Sequence, residues 1–317
     1  MSAPSFATIR LVNRLAVPCV LDAAVANRLG RDFVDALIVL AVVQANVGPL
    51  SRDPDLQLAY ATYDRPPPDE LRRPVSVSAI AHSLRLPYET VRRRIARMAK
   101  TGTCEVSAHG VVVPARELAS PQHLTAVLVG WDRIRTLYCR VRDLGVLDDV
   151  VRPQDRTPPT AGTDGPPMRA VARIASDYLL RVVEAASRDF DGVVAAVIWF
   201  SVLRINTEHL PGGEVVAPDA AAPAEVGHRC ARAAELARRL DTPQETIRRH
   251  AAELVAAGLL ARTAKGFVVP AQALVRRAAV KALRSNFADL QRMFAGLAQL
   301  GVLAEWDRQN PSIRGAA

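Results

Sequence analysis

Paired cysteines are missing from this chain. Cys19, Cys104, Cys139 and Cys230 form no C-x-x-C pair and lie far from any histidine cluster with ligand spacing, so neither a structural zinc site nor a thioredoxin-type redox pair is written in the sequence. They read as reduced thiols of a cytoplasmic protein, with Cys104 a small apolar residue rather than a redox centre. Long apolar runs are missing too: "ALIVLAVV" (36–43) and "VVAAVIWFSVL" (193–203) fall well short of the roughly 20 residues that span a bilayer, and both are expected as core helices. The opening "MSAPSFATIRLVNRLAVPCVLDAAVA" imitates an export signal, but Pro18 interrupts its apolar core and Asp22 closes it, so export is not expected. A Gly-rich phosphate loop, G-x-S-x-G and H-E-x-x-H are all absent. The six histidines are scattered, and each reads as a surface or capping residue. The expectation is a protein without enzymatic activity, cofactor or metal.

Acidic residues are in deficit, 32 against 41 basic, which leaves a net charge of +9 and a sequence pI near 10.0. That balance favours polyanionic partners, nucleic acid first among them. The excess is shared, with 21 Lys+Arg against 16 Asp+Glu in residues 1–156 and 20 against 16 in the remainder. Neither half is a basic tail. A chain of 317 residues, half of them apolar, has room for two or three domains with real cores.

What is present is a repeat. "PYETVRRRIARMAKTG" (87–102) returns as "PQETIRRHAAELVAAG" (243–258), 156 positions on, and "GVVVPA" (110–115) and "LGVL" (144–147) return at the same offset as "GFVVPA" and "LGVL". "RDF" (31–33) returns at 188–190, an offset of 157, and the one-residue change is expected in the Pro-rich loops 63–74 and 215–227. In 121–146 the residues Leu124, Val127, Trp131, Ile134, Tyr138, Val141 and Leu144 form one helical stripe, and all seven positions stay apolar 156 residues later. The expected organisation is a first half over 1–151, a Pro-rich linker over 152–168 and a second half over 169–317.

Within each half an apolar helix pair (8–29 and 32–47; 169–186 and 189–206) precedes two short helices joined by a three-residue turn, "RLP" or "DTP". Ser76 is placed to cap the first of these in the first half. A hairpin follows, 104–107 with 111–114 and 259–262 with 267–270, and then a long helix, 121–146 or 277–302. The expected fold class is mainly α with small β-hairpins. Over 75–114 and 231–270, "SAIAHSLRLPYETVRRRIARMAKTG" and "AAELARRLDTPQETIRRHAAELVAAG" resemble the winged helix-turn-helix of bacterial regulators such as the MarR, IclR and GntR families.

On a helical wheel Val91, Ile95 and Met98 share a buried face, while Glu89, Arg93, Arg97 and Lys100 point outward, flanked by Thr90 and Arg92. The resemblance implies that Tyr88, Glu89, Thr90, Arg92 and Arg93 read base edges in the major groove, and that Arg97 and Lys100, further along, hold phosphates. Ser76 at the preceding helix start, and His109, Arg262 and Lys265 on the hairpins, are further candidates for DNA contact. In the second half Gln244, Thr246, Arg248 and Arg249 take the reading positions, but Glu253 stands in place of Arg97 and Ala256 in place of Lys100. The two readers are therefore expected to be unequal, one chain acting as a pseudo-dimer on two half-sites of double-stranded DNA about one turn, ~34 Å, apart. Two other readings fit the same residues: a replication-initiator or chromosome-partition protein, and a winged-helix scaffold that binds only protein. A small-molecule effector held around Trp131 and Trp199 competes with plain core packing of those residues.

Overall fold

A computed structural model of the protein describes residues 4–148, 151, 165–210 and 229–310. Most of the expected linker and the loop at 215–227 lie outside the described residues. The protein is mainly helical, with two small antiparallel hairpins. In chain order, α1 (Phe6–Ala26), α2 (Phe33–Val47), α3 (Pro54–Ala59), α4 (Val77–Leu84), α5 (Tyr88–Lys100), β1 (Glu105–Ser107), β2 (Gly110–Val112), α6 (Ala115–Leu118) and α7 (Pro121–Arg142) come first. Then follow α8 (Met168–Asp189), α9 (Val193–Thr207), α10 (Ala233–Leu240), α11 (Gln244–Ala256), β3 (Ala261–Thr263), β4 (Gly266–Val268), α12 (Ala271–Val275), α13 (Arg277–Gln299) and α14 (Val302–Gln309). The two long helices stop short of the expected 146 and 302, because Gly145 and Gly301 both turn to a φ of 70°, the left-handed geometry that ends a helix. Among the described residues no single helix is long and apolar enough to cross a membrane.

The chain divides into two compact units, and these are not the two sequence halves. One comprises Met1–Leu21 with Ala185–Asp289; the other comprises Asp22–Glu184 with Leu290–Ala317. The expected linker falls inside the sequence span of the second of these, and α8 begins at Met168, the linker's last expected residue.

In the unit built on 22–184, α2 backs onto α4, α5 and β2. The Ser76 Oγ accepts from the Ala79 N–H at 3.1 Å and starts α4. The helix ends where Arg85 enters the left-handed region (φ 53°), and the Leu86 N–H bonds back to the Ala81 carbonyl at 3.0 Å. Pro87, whose fixed φ suits a helix start, launches α5. Ile80, Ala81 and Leu84 from α4 and Val91, Ile95 and Met98 from α5 are all buried. Beyond α5, β1 and β2 pair with Ser107 opposite Gly110, and Val75 adds a bridge on the other side of β2, exchanging two hydrogen bonds with Val111 at 2.8 and 3.1 Å. A Cβ on Gly110 would lie 2.6 Å from the Val75 carbonyl oxygen, so only glycine lets that bridge form.

The other unit repeats these local features on its own residues. There α9 backs onto α10, α11 and β4. Asp241 is left-handed (φ 44°), the Thr242 N–H bonds to the Ala237 carbonyl at 3.0 Å, and Leu236, Leu240, Ile247, Ala251 and Leu254 are buried. Ala231 bridges Phe267, and a Cβ on Gly266 would lie 2.5 Å from the Ala231 oxygen.

Each hairpin is fastened from behind by an asparagine that the repeat anchors do not mark. Asn46 of α2 donates to the Arg73 and Val111 carbonyls at 2.8 and 3.1 Å and accepts from the Val113 N–H at 3.0 Å. Asn206 of α9 does the same with Arg229, Phe267 and Val269, at 2.8, 3.4 and 2.8 Å. Both are buried. Positions 46 and 206 set α2 against α9 at an offset of 160, which corrects the "RDF" anchor. Asp32 of the first tripeptide caps α2, whereas Asp189 of the second is the last residue of α8.

The start of α8 belongs to the unit of α2, α4 and α5, held there by arginines that meet backbone carbonyls instead of carboxylates. Arg169 donates to Tyr63 and Leu118 at 2.9 and 3.1 Å, and Arg173 to Tyr60 and Gln57 at 2.9 and 3.0 Å. Burial lowers the pKa of both guanidiniums, that of Arg173 to about 10. In the same unit Trp131 meets Trp306 edge-on at 5.1 Å and Tyr138 packs against Phe294 and Trp306. Trp199, in the other unit, packs on Phe190 and Phe200 and donates its indole N–H to Leu259 at 3.0 Å. Both tryptophans proposed as effector contacts thus sit in aromatic clusters.

Candidate nucleic-acid interface

The amphipathic pattern of α5 leaves its outer face clear. Glu89, Thr90, Arg92, Arg93, Arg97 and Lys100, with Ala96, line one open depression of about 590 Å³. Tyr88 begins this face and is 48% exposed. The charges along it are not equivalent. Arg92 is pinned to Glu89, one turn away, at 2.8 and 2.9 Å. Arg93 and Lys100 are exposed and have no side-chain partner among the described residues.

Arg97, expected to hold a phosphate, already has carboxylate partners within the protein. It is ion-paired to Asp35 of α2 and lies 3.7 Å from Asp32. Arg94, which the helical wheel does not place on the outward face, joins the same pair of carboxylates at 2.6 and 2.7 Å. Asp32 also accepts the Val34 and Asp35 N–H groups at 2.9 Å as the cap of α2. Burial pushes its carboxyl up, but the bonds from Asp35 and Arg94 outweigh burial and hold the pKa below the ordinary value. Two arginines and two carboxylates therefore join the middle of α5 to the start of α2. No sequence spacing signals this, because the partners lie 59 and 62 residues apart.

On α11 the same positions are wired differently. Arg248 lies 3.7 Å from Glu245, and Arg249 is exposed with, among the described residues, only the neighbouring His250 ring at 3.5 Å. Gln244 and Thr246 are partly exposed. His250 and Glu253, which take the places of Arg94 and Arg97, bond to each other at 2.9 Å. At the offset fixed by the two asparagines, Asp32 and Asp35 correspond to Gly192 and Ala195. Both ends of the ion-pair cluster therefore differ between the two units. Glu253 has its own partner and is not a bare carboxylate facing outward.

The hairpins carry His109 at one tip and Arg262 and Lys265 on the other, all exposed, with Val106 also 55% exposed. Ser76 is exposed as well, its hydroxyl engaged by the cap of α4. Cys104 is buried, and burial pushes its thiol up to about 11, the inert thiol form at neutral pH. Among the described residues no group of three or more His, Cys, Asp and Glu is arranged to hold a metal ion. Compared with family models, with curated proteins and with solved structures, the chain finds no match in any of the three.

Proposed function

We propose that this chain is an internally duplicated winged helix-turn-helix protein that binds double-stranded DNA sequence-specifically, with α5 and α11 as the reading helices, and that it acts as a transcriptional regulator. The observation that carries the reading is the recurrence, on two helices, of an exposed arginine at the same place, Arg93 and Arg249, each behind an identical frame. That frame is a left-handed turn before the helix, a glycine-dependent hairpin after it and an asparagine clamp behind the hairpin. The duplication rests on the same correspondences. An exposed arginine on a helix shaped to enter the major groove pairs bidentately with guanine, while neighbouring polar groups read other base edges. Glu89, Thr90, Arg92 and Arg93 serve this purpose on α5, and Gln244, Thr246, Arg248 and Arg249 on α11. Lys100, His109, Arg262 and Lys265 contact phosphates.

The two readers are more alike than their sequences suggest, because Arg97 is neutralised by Asp35 and its replacement by Glu253 removes no free cation. Lys100, replaced by Ala256, remains as the difference. Selecting genomic fragments that bind the protein would give the site, and one chain per two-part site would identify the single-chain pseudo-dimer. Arg93→Ala and Arg249→Ala, assayed at fixed salt, should each lower the ratio of cognate to random-duplex affinity by roughly 10-fold or more. Unchanged ratios in both variants would remove the reading. A protein-binding scaffold would show almost no salt-dependent binding to random duplex.

A further inference from the structure

From Leu254 to Ala288 the chain carries Arg262, Lys265, Arg276, Arg277, Lys281 and Arg284 and not one Asp or Glu. The matching stretch, 98–132, holds Lys100 and Arg116 against Glu105, Glu117 and Asp132. The excess is therefore specific to the unit that contains α11. Arg276 is used internally, its guanidinium bonded to the Ala257 and Gly258 carbonyls at 3.0–3.4 Å, so that α13 starts where α11 ends. Arg277, Lys281 and Arg284 follow at i, i+4 and i+7, one face of α13, and all three are exposed. No carboxylate among the described residues pairs with any of them; the Arg284 guanidinium has only the Phe6 ring, at 5.7 Å. A neighbouring face of the helix is occupied by α1, where Asn13 bonds to the Leu283 carbonyl at 3.0 Å and to the Asn286 side chain at 2.8 Å. Cations near a helix N-terminus oppose the helix dipole. Unpaired, they make a stripe that favours an external anion.

We infer that Arg277, Lys281 and Arg284, with Arg262 and Lys265 on the adjoining hairpin, form a sequence-independent contact surface for the phosphate backbone of duplex DNA. This rests on the reading of α11 as a DNA-binding helix. The stripe extends ~10 Å along α13, about the axial rise of three nucleotides on one strand. Its position beyond the C-terminal end of α11 sets it beside the groove which that helix enters, and it supplies the phosphate contacts that Ala256 cannot.

The test is the salt dependence of binding to random duplex and to the selected site. In the triple variant Arg277→Ala/Lys281→Ala/Arg284→Ala the slope of log K against log salt should shrink by about 2 to 3, equally for both duplexes, with the ratio between them kept. Lys281→Glu alone, at an exposed position, should move the slope the same way by about 1 or more. If the wild-type protein binds DNA and both variants keep its slope, the stripe is not a phosphate contact. If the wild type binds no DNA, the reading of α11 itself is wrong. Binding to phosphatidylserine vesicles that is lost in the triple variant while the DNA slope is unchanged would overturn the inference in favour of a lipid surface.

Discussion

Arg97 on α5 is ion-paired to Asp35, a buried carboxylate in the first turn of α2. The pair is half solvent-screened, because the arginine side chain is 58% exposed and the aspartate 8%. Its loss should therefore cost less than that of a fully buried pair. Asp35→Asn, which keeps the shape and removes the charge, is expected to lower unfolding free energy by about 1–3 kcal/mol in urea. It should also strengthen binding to random duplex, since Arg97 then keeps only the 3.7 Å contact to Asp32, which Arg94 already occupies at 2.7 Å. Arg97→Ala should change the salt slope by less than about 1 unit, where a dedicated phosphate contact would remove a full one.

The asparagine clamps give a paired prediction. Asn46→Ala strands the Val113 N–H and takes one donor from each of the Arg73 and Val111 carbonyls, the latter keeping its bond from Val75, and Asn206→Ala does the same around Val269, where Phe267 keeps its bond from Ala231. Each should destabilise its own unit by about 2–4 kcal/mol. Hydrogen exchange should rise first in 105–112 for one variant and in 261–268 for the other. Equal exchange across both hairpins in either variant would contradict the assignment of one clamp to each unit.

Gly110 and Gly102 both have positive φ, 132° and 76°, but only the first is hemmed in. Gly110→Ala places a Cβ against Val75 and should cost about 3 kcal/mol or more by thermal denaturation, with the bridge to Val111 broken. Gly102→Ala meets nothing within 4 Å and should cost only about 1 kcal/mol, the conformational term alone.

A pH dependence follows from His123 on the first turn of α7. Burial, then the charges of Arg169, Arg72 and Arg31, holds its pKa at about 4 against an ordinary 6.5. As pH falls the unfolded chain takes up this proton first, so the stability contribution is complete above pH 6.5 and disappears between 6.5 and 4. The loss should amount to about 1–3 kcal/mol. His123→Gln should flatten the stability profile in that window. Asp32, with its pKa depressed, loses its contribution only below the usual carboxylate value of 3.8, so the two groups act in separate ranges.

Local chemistry made much of this fold legible in advance. Ser76, the turns "RLP" and "DTP", and the triads Val91, Ile95, Met98 and Ile247, Ala251, Leu254 place the short helices and their buried sides within a residue or so. Turn residues around Gly110 and Gly266 place the hairpins. What sequence spacing could not reveal were partners brought together over long separations. "RDF" recurs, yet one copy caps a helix and the other ends one; Asn46 and Asn206 share one hydrogen-bonding role but look like ordinary polar residues in apolar runs. Arg97 looks free on a helical wheel because its carboxylate partner lies on α2. The apolar stripe of α13 is plain in the spacing of its residues, whereas the basic stripe beside it stands out only through the absence of Asp and Glu from 254–288.

Arg169 and Arg173 carry one more consequence. They donate to carbonyls of residues 57–63 and 118 from a helix that lies beyond the middle of the chain. Neither compact unit is therefore encoded by a contiguous half of the gene. A polypeptide ending at residue 151 would carry the complete helix α5 but leave those carbonyls bare, while its complementary fragment would carry two buried-type guanidiniums with nothing to hold. Each fragment should be poorly folded by itself, and the two mixed should restore one another. The two sequence halves that carry the repeated motifs can be told apart by eye but should not be separable with a protease.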